Sequence, residues 1–364
     1  MSKNAKVLKK QDIPSLAEYI ASDKCKNIVL MLGAGVSTAA GIPDFRSPET
    51  GLYANLARLN LPYPEAVFEI NFFRKNPVPF YTLAQELYPG KFRPTITHSF
   101  IRLLAKHGLL HTCFTQNIDV LERIAGVPDD KIIEAHGSFA SQRCIDCHKP
   151  FDDDEMKRKI LAKETPKCGK CGGLVKPDIV FFGESLPDEF IKAIPNVAKA
   201  DLLIVMGTSL TVQPFAGLAE RAGASCPRVL INLDRVGSIG RRPNDLVLLG
   251  KCDEVVSKLC RELGWEKELM DLWAKTEIKT KSPVEGEEDE GEDEGEVKGE
   301  DEEVKVKEPA TAEDLVGAIT DAIGRQLKLD ESESKTDQDK DEAAEEEAAK
   351  GTEKDESSKA GGKL

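Results

Sequence analysis

Nowhere in these 364 residues does an uninterrupted apolar run pass five residues, the length of Ile28–Leu32. A membrane-spanning helix needs about 20, so no segment is expected to cross a bilayer. The basic first residues lead into neither an apolar core nor a small-residue cleavage pattern, so no secretory signal is expected. Nine cysteines in a chain this long, without export features, do not suggest a disulfide framework. The expectation is a soluble intracellular protein. Aromatic residues are missing altogether from residue 281 onward. That stretch holds 30 Asp+Glu against 12 Lys+Arg, of 64 and 50 in the whole chain, a net of −18. Residues 1–280 are left with 38 basic and 34 acidic residues, a net of +4, which gives little support to a nucleic-acid-binding face.

A segment so acidic and so poor in branched apolar residues cannot bury enough surface to offset chain entropy, so 276–364 reads as a disordered tail suited to basic partners. One piece interrupts it: Leu315, Ile319, Ile323 and Leu327 step by four and mark a short helix over 312–328, as open to being a transient turn as a docking element. Upstream, short apolar, partly β-branched runs at 28–32, 109–115, 132–135, 178–182, 202–206, 229–233 and 246–249 read as buried strands. They alternate with helical stretches such as "THSFIRLLAKHG", for which Thr97 offers a cap and Gly108 a stop. This alternation predicts an α/β fold: a Rossmann-like, doubly wound parallel sheet with its ligand at the carboxyl ends of the strands. Residues 51–93, rich in Pro, Phe and Tyr, read as a helical excursion, and 143–173 as an insertion.

Within that insertion Cys144 and Cys147 stand two residues apart, twenty residues follow, and Cys168 and Cys171 repeat the gap. A two-residue spacer turns both thiolates toward one ion, and two such pairs complete a tetrahedron with Zn–S distances of about 2.3 Å. Four thiolates leave no open coordination position, so the ion is structural. Haem attachment at "CIDCH" would leave the second pair without a role. "CGKC" does not open a βαβ unit, as a redox pair would. A nucleic-acid-binding ribbon is the alternative reading, but aromatics do not interleave with the lysines here, Phe151 standing alone. His148 is read as a surface neighbour.

The strand 28–32 feeds Gly33-Ala34-Gly35, the start of a dinucleotide-binding fingerprint, but Thr38 stands where the third glycine belongs. No acid follows near 55–60 to hold a ribose, which disfavours a hydride-transferring enzyme. Later strand ends carry "TQNID" (115–119), "GTSLTVQP" (207–214) and "INLD" (231–234), so a dinucleotide is expected to be held from several strand ends. Of five histidines, His98, His107 and His111 lie on or beside a helix and read as surface or core residues. His136, after a strand and before Gly137, occupies a loop position suited to a general base working near neutral pH without a large pKa shift.

Taken in order, "GAGVSTAAGIPDFRSP", "TQNIDVLERIAG", "EAHGSF", the paired cysteines, "LVKPDIVFFGE" and "MGTSLTVQPFAGL" resemble the sirtuin family of NAD-dependent protein-lysine deacylases, over about residues 12 to 273. "TGLYANL", "LPYPEAVFEI" and "ELYPGKF" place the similarity with the sirtuin-2-like branch. The resemblance implies that NAD is a consumed co-substrate, its nicotinamide expelled and the acetyl group of acetyl-lysine passed to ADP-ribose. It implies that Ala34, Gly35, Val36, Ser37 and Thr38 contact phosphates and ribose, and that Asp44, Phe45 and Arg46 form a cofactor loop. Gln116, Asn117, Ile118 and Asp119 would line the nicotinamide pocket and the reacting ribose, with Asn117, Asp119 and His136 catalytic. Thr208, Ser209, Asn232, Leu233, Asp234 and Cys252 would hold the adenosine end. Val180, Phe181, Gly183 and Glu184 would receive the substrate, "KPDIVFF" supplying an edge strand.

The implied organisation is an extension over 1–20 and a catalytic domain over 21–275. Its Rossmann-like part is 21–50, 94–142 and 174–275, and its smaller part joins the helical insert 51–93 to the zinc module 143–173. Implied partners are acetylated proteins, histone- or tubulin-like, with no direct nucleic acid and no membrane. The implied location is cytoplasmic; the N-terminus has no leucine-rich export pattern, which leaves the nucleus open. Protein ADP-ribosyl transfer, removal of longer acyl chains, and an NAD-sensing scaffold remain as alternative functions.

Overall fold

A computed structural model describes residues 6–42 and 61–278. Asp44, Phe45, Arg46 and the 312–328 helix lie outside the described residues. Six strands form one parallel sheet in the order β3-β2-β1-β6-β7-β8. They are β1 Ile28–Leu32, β2 Leu110–Thr115, β3 Ile132–Glu134, β6 Leu202–Met206, β7 Arg228–Asn232 and β8 Asp245–Leu249. The remaining two, β4 Gly137–Cys144 and β5 Val175–Ile179, make a separate antiparallel pair. The order reverses between β1 and β6, the switch point where a doubly wound sheet opens a crevice for its ligand.

Continuous apolar runs become central strands because both faces of the sheet are covered. Ile28, Leu30 and Leu32 pack on one side with Leu16, Ile20, Phe100, Leu104, Val256 and Leu269, brought by the helices Ile13–Ile20, Ile96–Lys106, Cys252–Glu262 and Glu266–Ala274. Val29 and Met31, one residue out of phase, join Phe190, Val197, Phe215 and Leu218 on the other. The stretch assigned to an N-terminal extension supplies Leu8, Leu16, Ala17 and Ile20 to the first of these cores.

A second unit packs the helical insert and the cysteine module around one core. Phe73, Phe80, Tyr81, Met156, Ile160, Val175 and Phe181 share it with Cys144 and Cys168. The Phe181 ring meets Phe68, Phe73 and Phe80 edge-on at centroid distances of 6.0, 5.5 and 4.9 Å. Such pairs add about 0.5–1.5 kcal/mol each beyond area burial.

Two sequence expectations are corrected. The strand placed at 178–182 is β5, Val175–Ile179, and it pairs with β4 outside the parallel sheet. The apolar residues 179–182 are buried because they cross into the aromatic core, with the Phe182 amide donating to the Phe68 carbonyl at 2.8 Å. β4 itself went unread, since "GSFASQRC" is half polar and runs between the two units. The helix Ile96–Lys106 is capped by Thr95, whose hydroxyl accepts from the His98 amide while its own amide donates to His98 Nδ1 at 3.2 Å. Thr97 instead donates its amide to Asp253 at 2.9 Å. Gly108, at φ +71°, does end this helix.

One buried ion pair ties the outer strands. Arg228, fully buried, donates from Nε and Nη2 to Asp245 at 2.9 and 2.8 Å, and from Nη1 to Glu220 at 3.0 Å. Burial alone would raise the Asp245 pKa, but Arg228 and the amides of Arg242 and Gly240 hold it below the ordinary carboxylate range. Removing one partner strands the other charge without compensation. Asp245→Ala is expected to lower unfolding stability by about 3–5 kcal/mol, measured by urea denaturation; a loss under about 1 kcal/mol, the level of an exposed pair, would contradict this.

Candidate active site

The carboxyl ends of β1, β2, β3 and β6 meet in one crevice. β1 delivers the glycine loop, which folds into two 3₁₀ turns, Ala34–Val36 and Thr38–Ala40, in place of the long helix of a hydride-transfer fingerprint. Its glycines are required by the neighbouring strand end. A Cβ on Gly33 would sit 2.6 Å from Thr208 Cβ, and one on Gly35 would sit 2.8 Å from Gly207 Cα. The Gly35 amide donates to the Gly207 carbonyl at 2.8 Å, so the two loops close on each other with no room for side chains between them.

β2 ends in Gln116, Asn117, Ile118 and Asp119. The Ser37 hydroxyl donates to Asp119 Oδ2 at 2.7 Å and accepts from Asn117 Nδ2 at 3.2 Å; the same Asn117 group also donates to the Gly33 carbonyl at 3.2 Å. Asp119 Oδ1 accepts the Leu121 amide at 2.9 Å. The Thr208 hydroxyl donates to Gln116 Oε1 at 2.8 Å, linking the end of β2 to the end of β6. Asn117 Oδ1 is buried with no hydrogen-bond partner among the described residues. A buried acceptor left in this state costs about 1–3 kcal/mol, so the crevice suits a ligand that brings a hydroxyl or an amide N–H. Thr38 is exposed, donating only weakly to the Gly35 carbonyl at 3.3 Å.

Two residues beyond β3 stands His136, buried, with Nδ1 3.1 Å from the Gln116 carbonyl oxygen. That oxygen can only accept, so Nδ1 carries the proton and Nε2 keeps its lone pair. Desolvation drives the His136 pKa down to about 4, outweighing the opposite pull of the Gln116 carbonyl. The expectation of a histidine without a large shift is therefore corrected: burial in this crevice holds the imidazole neutral. Gly137 follows at φ +66°, where any Cβ would lie 1.8 Å from the Asp178 carbonyl oxygen. Only glycine permits the turn that joins His136 to β4.

The residues assigned to the adenosine end lie farther along the same edge. Asn232 closes β7 and donates to the Asp234 carbonyl at 2.9 Å, Leu233 is 66% exposed, and Ser209 pairs with Thr211 at 2.9 Å. Cys252 begins the helix after β8, buried, with its thiol 3.7 Å from the Ile231 carbonyl. On the substrate side, the Val180 amide donates to the His136 carbonyl at 2.9 Å. Val180 and Glu184 line an open cavity of about 790 Å³ between β3 and the β4–β5 pair. Phe181 points into the aromatic core, and Gly183 takes a φ of +86°. Sequence reasoning missed Lys176, buried, whose Nζ donates to the Ile179 carbonyl at 2.6 Å and pairs with Glu184 at 2.9 Å. A lysine inside the segment that became β5 was its only signal.

The four cysteines converge as the spacing predicted, with their sulfurs within 4.8 Å of one another. Cys144 and Cys171 are 3.4 Å apart, and Cys147 and Cys168 3.6 Å. A tetrahedron built on Zn–S bonds of about 2.3 Å has edges of about 3.8 Å, so the donor set fits zinc. Bound there, the ion supplies cross-linking and no chemistry.

A family model described as "Sir2 family" matches residues 33–214. The NAD-dependent protein deacetylase sirtuin-2 of Danio rerio is 50% identical over 292 residues, 75% of this chain and 77% of its own. The NAD-dependent protein deacetylase hst2-1 of Emericella nidulans is 54% identical over 279 residues, 77% of each chain. The corresponding hst2 of Schizosaccharomyces pombe is 54% identical over 261 residues, 71% of this chain and 79% of its own. With half of its residues inside the family model, and relatives of this identity along most of its length, the chain belongs to the Sir2 family.

Proposed function

We propose that this protein removes acetyl groups from protein lysines, with NAD consumed as co-substrate and one zinc ion holding the smaller unit together. The observation that carries the reading is His136, its Nδ1 on the Gln116 carbonyl and its Nε2 without a hydrogen-bond partner among the described residues, at the same end of the sheet as the Asn117–Ser37–Asp119 chain. NAD supplies a glycosidic bond whose cleavage leaves an electrophilic ribose carbon. The chain's own residues then have separable tasks. Gly33 to Thr38 let the backbone approach phosphates closely. Asn117 Oδ1, Ser37 and Asp119 orient ribose hydroxyls, positioning that supplies much of the rate for so weak a nucleophile as an amide oxygen. His136 Nε2 accepts a proton from the hydroxyl that attacks the transferred acyl group.

Backbone groups near Val180 and Glu184 pair with the substrate main chain, a mode that reads backbone more than side chains. Acetylated proteins are the substrates; basic, histone-like segments fit the cavity rim, where Asp130, Asp188 and Glu189 stand. The acidic tail serves partner choice. Truncation after residue 280 is therefore expected to leave turnover of a short acetyl-peptide unchanged, and loss of that turnover would move the tail into the catalytic unit.

The deciding experiment incubates the protein with NAD and an acetyl-lysine peptide and follows both by mass spectrometry. Deacetylated peptide, nicotinamide and acetylated ADP-ribose in equal amounts are expected. Nicotinamide without deacetylation would redirect the assignment to ADP-ribosyl transfer. Turnover of long-chain acyl-peptides alone would redirect it to a broader deacylase.

A further inference from the structure

Behind the crevice, two buried side chains, His98 and Glu122, meet the half-buried Asp119. One nitrogen of His98 and one oxygen each of Asp119 and Glu122 lie within 4.8 Å of one another. His98 belongs to the capped helix Ile96–Lys106, Asp119 to the loop after β2, and Glu122 to the short helix Leu121–Ile124. His98 Nε2 and Glu122 Oε1 are both buried and without a hydrogen-bond partner among the described residues. His98 is wholly enclosed, and Glu122 is 2% exposed.

The cluster has the donor types of a metal site, but its tautomer argues against one. The Thr95 amide, which can only donate, points at His98 Nδ1 at 3.2 Å, and with that nitrogen accepting, the Thr95 hydroxyl 2.8 Å away faces it as a donor, its one hydrogen lying between Nδ1 and the Val36 carbonyl at 2.9 Å. Nδ1 is thereby the accepting nitrogen, and Nε2 bears the hydrogen. A neutral imidazole has one lone pair to give, and the helix cap has used it. His98 thus presents an N–H to two carboxyl groups.

Two ionised carboxylates enclosed together repel each other, so the pair holds one negative charge at neutral pH. Burial raises the Asp119 pKa as well as that of Glu122, but Asp119 keeps the charge, because the Leu121 amide and the Ser37 hydroxyl donate to its oxygens and oppose that rise. Glu122 is met by the Thr115 hydroxyl and its own amide, but one of its oxygens has no partner among the described residues, so the proton stays there.

We propose that His98 and Glu122 are positioning residues for Asp119, a buried N–H and a buried carboxylic O–H that keep its carboxylate ionised and fixed for the ribose. The separation is one that a bridging water spans. The inference rests on the reading of Asp119 as a ribose-holding group. Burial, then the nearby Asp119 charge, raises the Glu122 pKa to about 8. The other titratable groups facing Glu122 are Cys113 of β2, kept as a neutral thiol by burial, and Glu134 of β3, engaged by Arg123 at 2.9 Å. His98 stays neutral, its pKa lowered to about 3 by burial.

The test pairs infrared spectroscopy with kinetics on the full chain. The difference spectrum between wild type and Glu122→Gln is expected to contain the carbonyl band of an un-ionised, enclosed carboxyl group, disappearing as pH rises through about 8. In parallel, kcat/KM for NAD of the wild type should fall over that range, while Glu122→Gln, permanently neutral and of the same shape, keeps most of its neutral-pH rate and loses the alkaline fall. Glu122→Ala and His98→Ala should lose about 10- to 100-fold, the range for outer groups that orient a working ligand, with KM for the peptide little changed. An ionised Glu122 at pH 7, or Glu122→Gln as impaired there as Glu122→Ala, would overturn the proposal. If Asp119→Asn leaves turnover intact, the ribose reading fails by itself, and the infrared band still reports where the proton sits.

Discussion

His136→Ala is expected to lower kcat for deacetylation by about 10²- to 10⁴-fold, the span of a lost general base, while NAD affinity by calorimetry stays within a few-fold. The split follows from the geometry. Among the described residues the imidazole makes one hydrogen bond, to the Gln116 carbonyl, whereas the loop Gly33–Thr38 is held by Met206, Gly207, Asn117 and Asp119 without it. The pH profile should be equally specific. With its pKa lowered to about 4, His136 is neutral at every pH above that, so the acid limb of kcat/KM belongs near 4 and not near the ordinary 6.5. The same depression affects folding with a definite sign. Between about 4 and 6.5 the unfolded chain binds a proton at this residue that the folded chain refuses, so stability is complete above 6.5 and falls as pH falls through that window. A melt at each pH separates this loss from the kinetic limb. An acid limb centred on 6.5 in protein that remains folded, or NAD binding that disappears with the imidazole, would remove His136 from the role of base.

The parallel sheet was legible because its strands are covered on both sides. β1 and β6 read as unbroken apolar runs, and their ends fell where the runs end. β4 was not legible for the same physical reason in reverse. It has only one strand partner, alternates buried with exposed residues after Phe139, and so presents no run. The segment 179–182 misled because burial in an aromatic core and burial in a ladder leave the same apolar trace. In the site, cysteine spacing and the loop position of His136 were local signals. Glu122 and His98 had none. His98 sits on a helix face indistinguishable from core, and its meeting with Asp119 and Glu122 is made by packing of one helix behind the end of β2. Arg228 and Asp245 pair across 17 positions of chain, and the only trace is a charge at the first residue of an otherwise apolar strand.

The cysteine module reaches the active site through β4, and this sets the effect of losing its ion. β4 begins at Gly137, next to His136, and ends at Cys144; across from it β5 pairs Val175 with Cys144 and Ile179 with Gly137. Cys144 and Cys168 also share their core with Phe73, Phe80 and Phe181. A structural zinc contributes about 10–16 kcal/mol in small domains, as much as a whole domain's net stability of about 5–15 kcal/mol. The smaller unit is therefore not expected to stay folded without it, and β4 would release Val180 and Glu184 together with the strand that fixes His136. Cys168→Ala should yield protein that is insoluble, or soluble with less than one zinc per chain by elemental analysis, with its first thermal transition lost and deacetylation abolished. Cys226→Ala, at a buried thiol outside the cluster, is the control and should keep both metal and activity. Full turnover from chain shown to be free of zinc would mean that the aromatic core alone holds the β4–β5 pair in register, and the metal would then have no part in placing the catalytic strand.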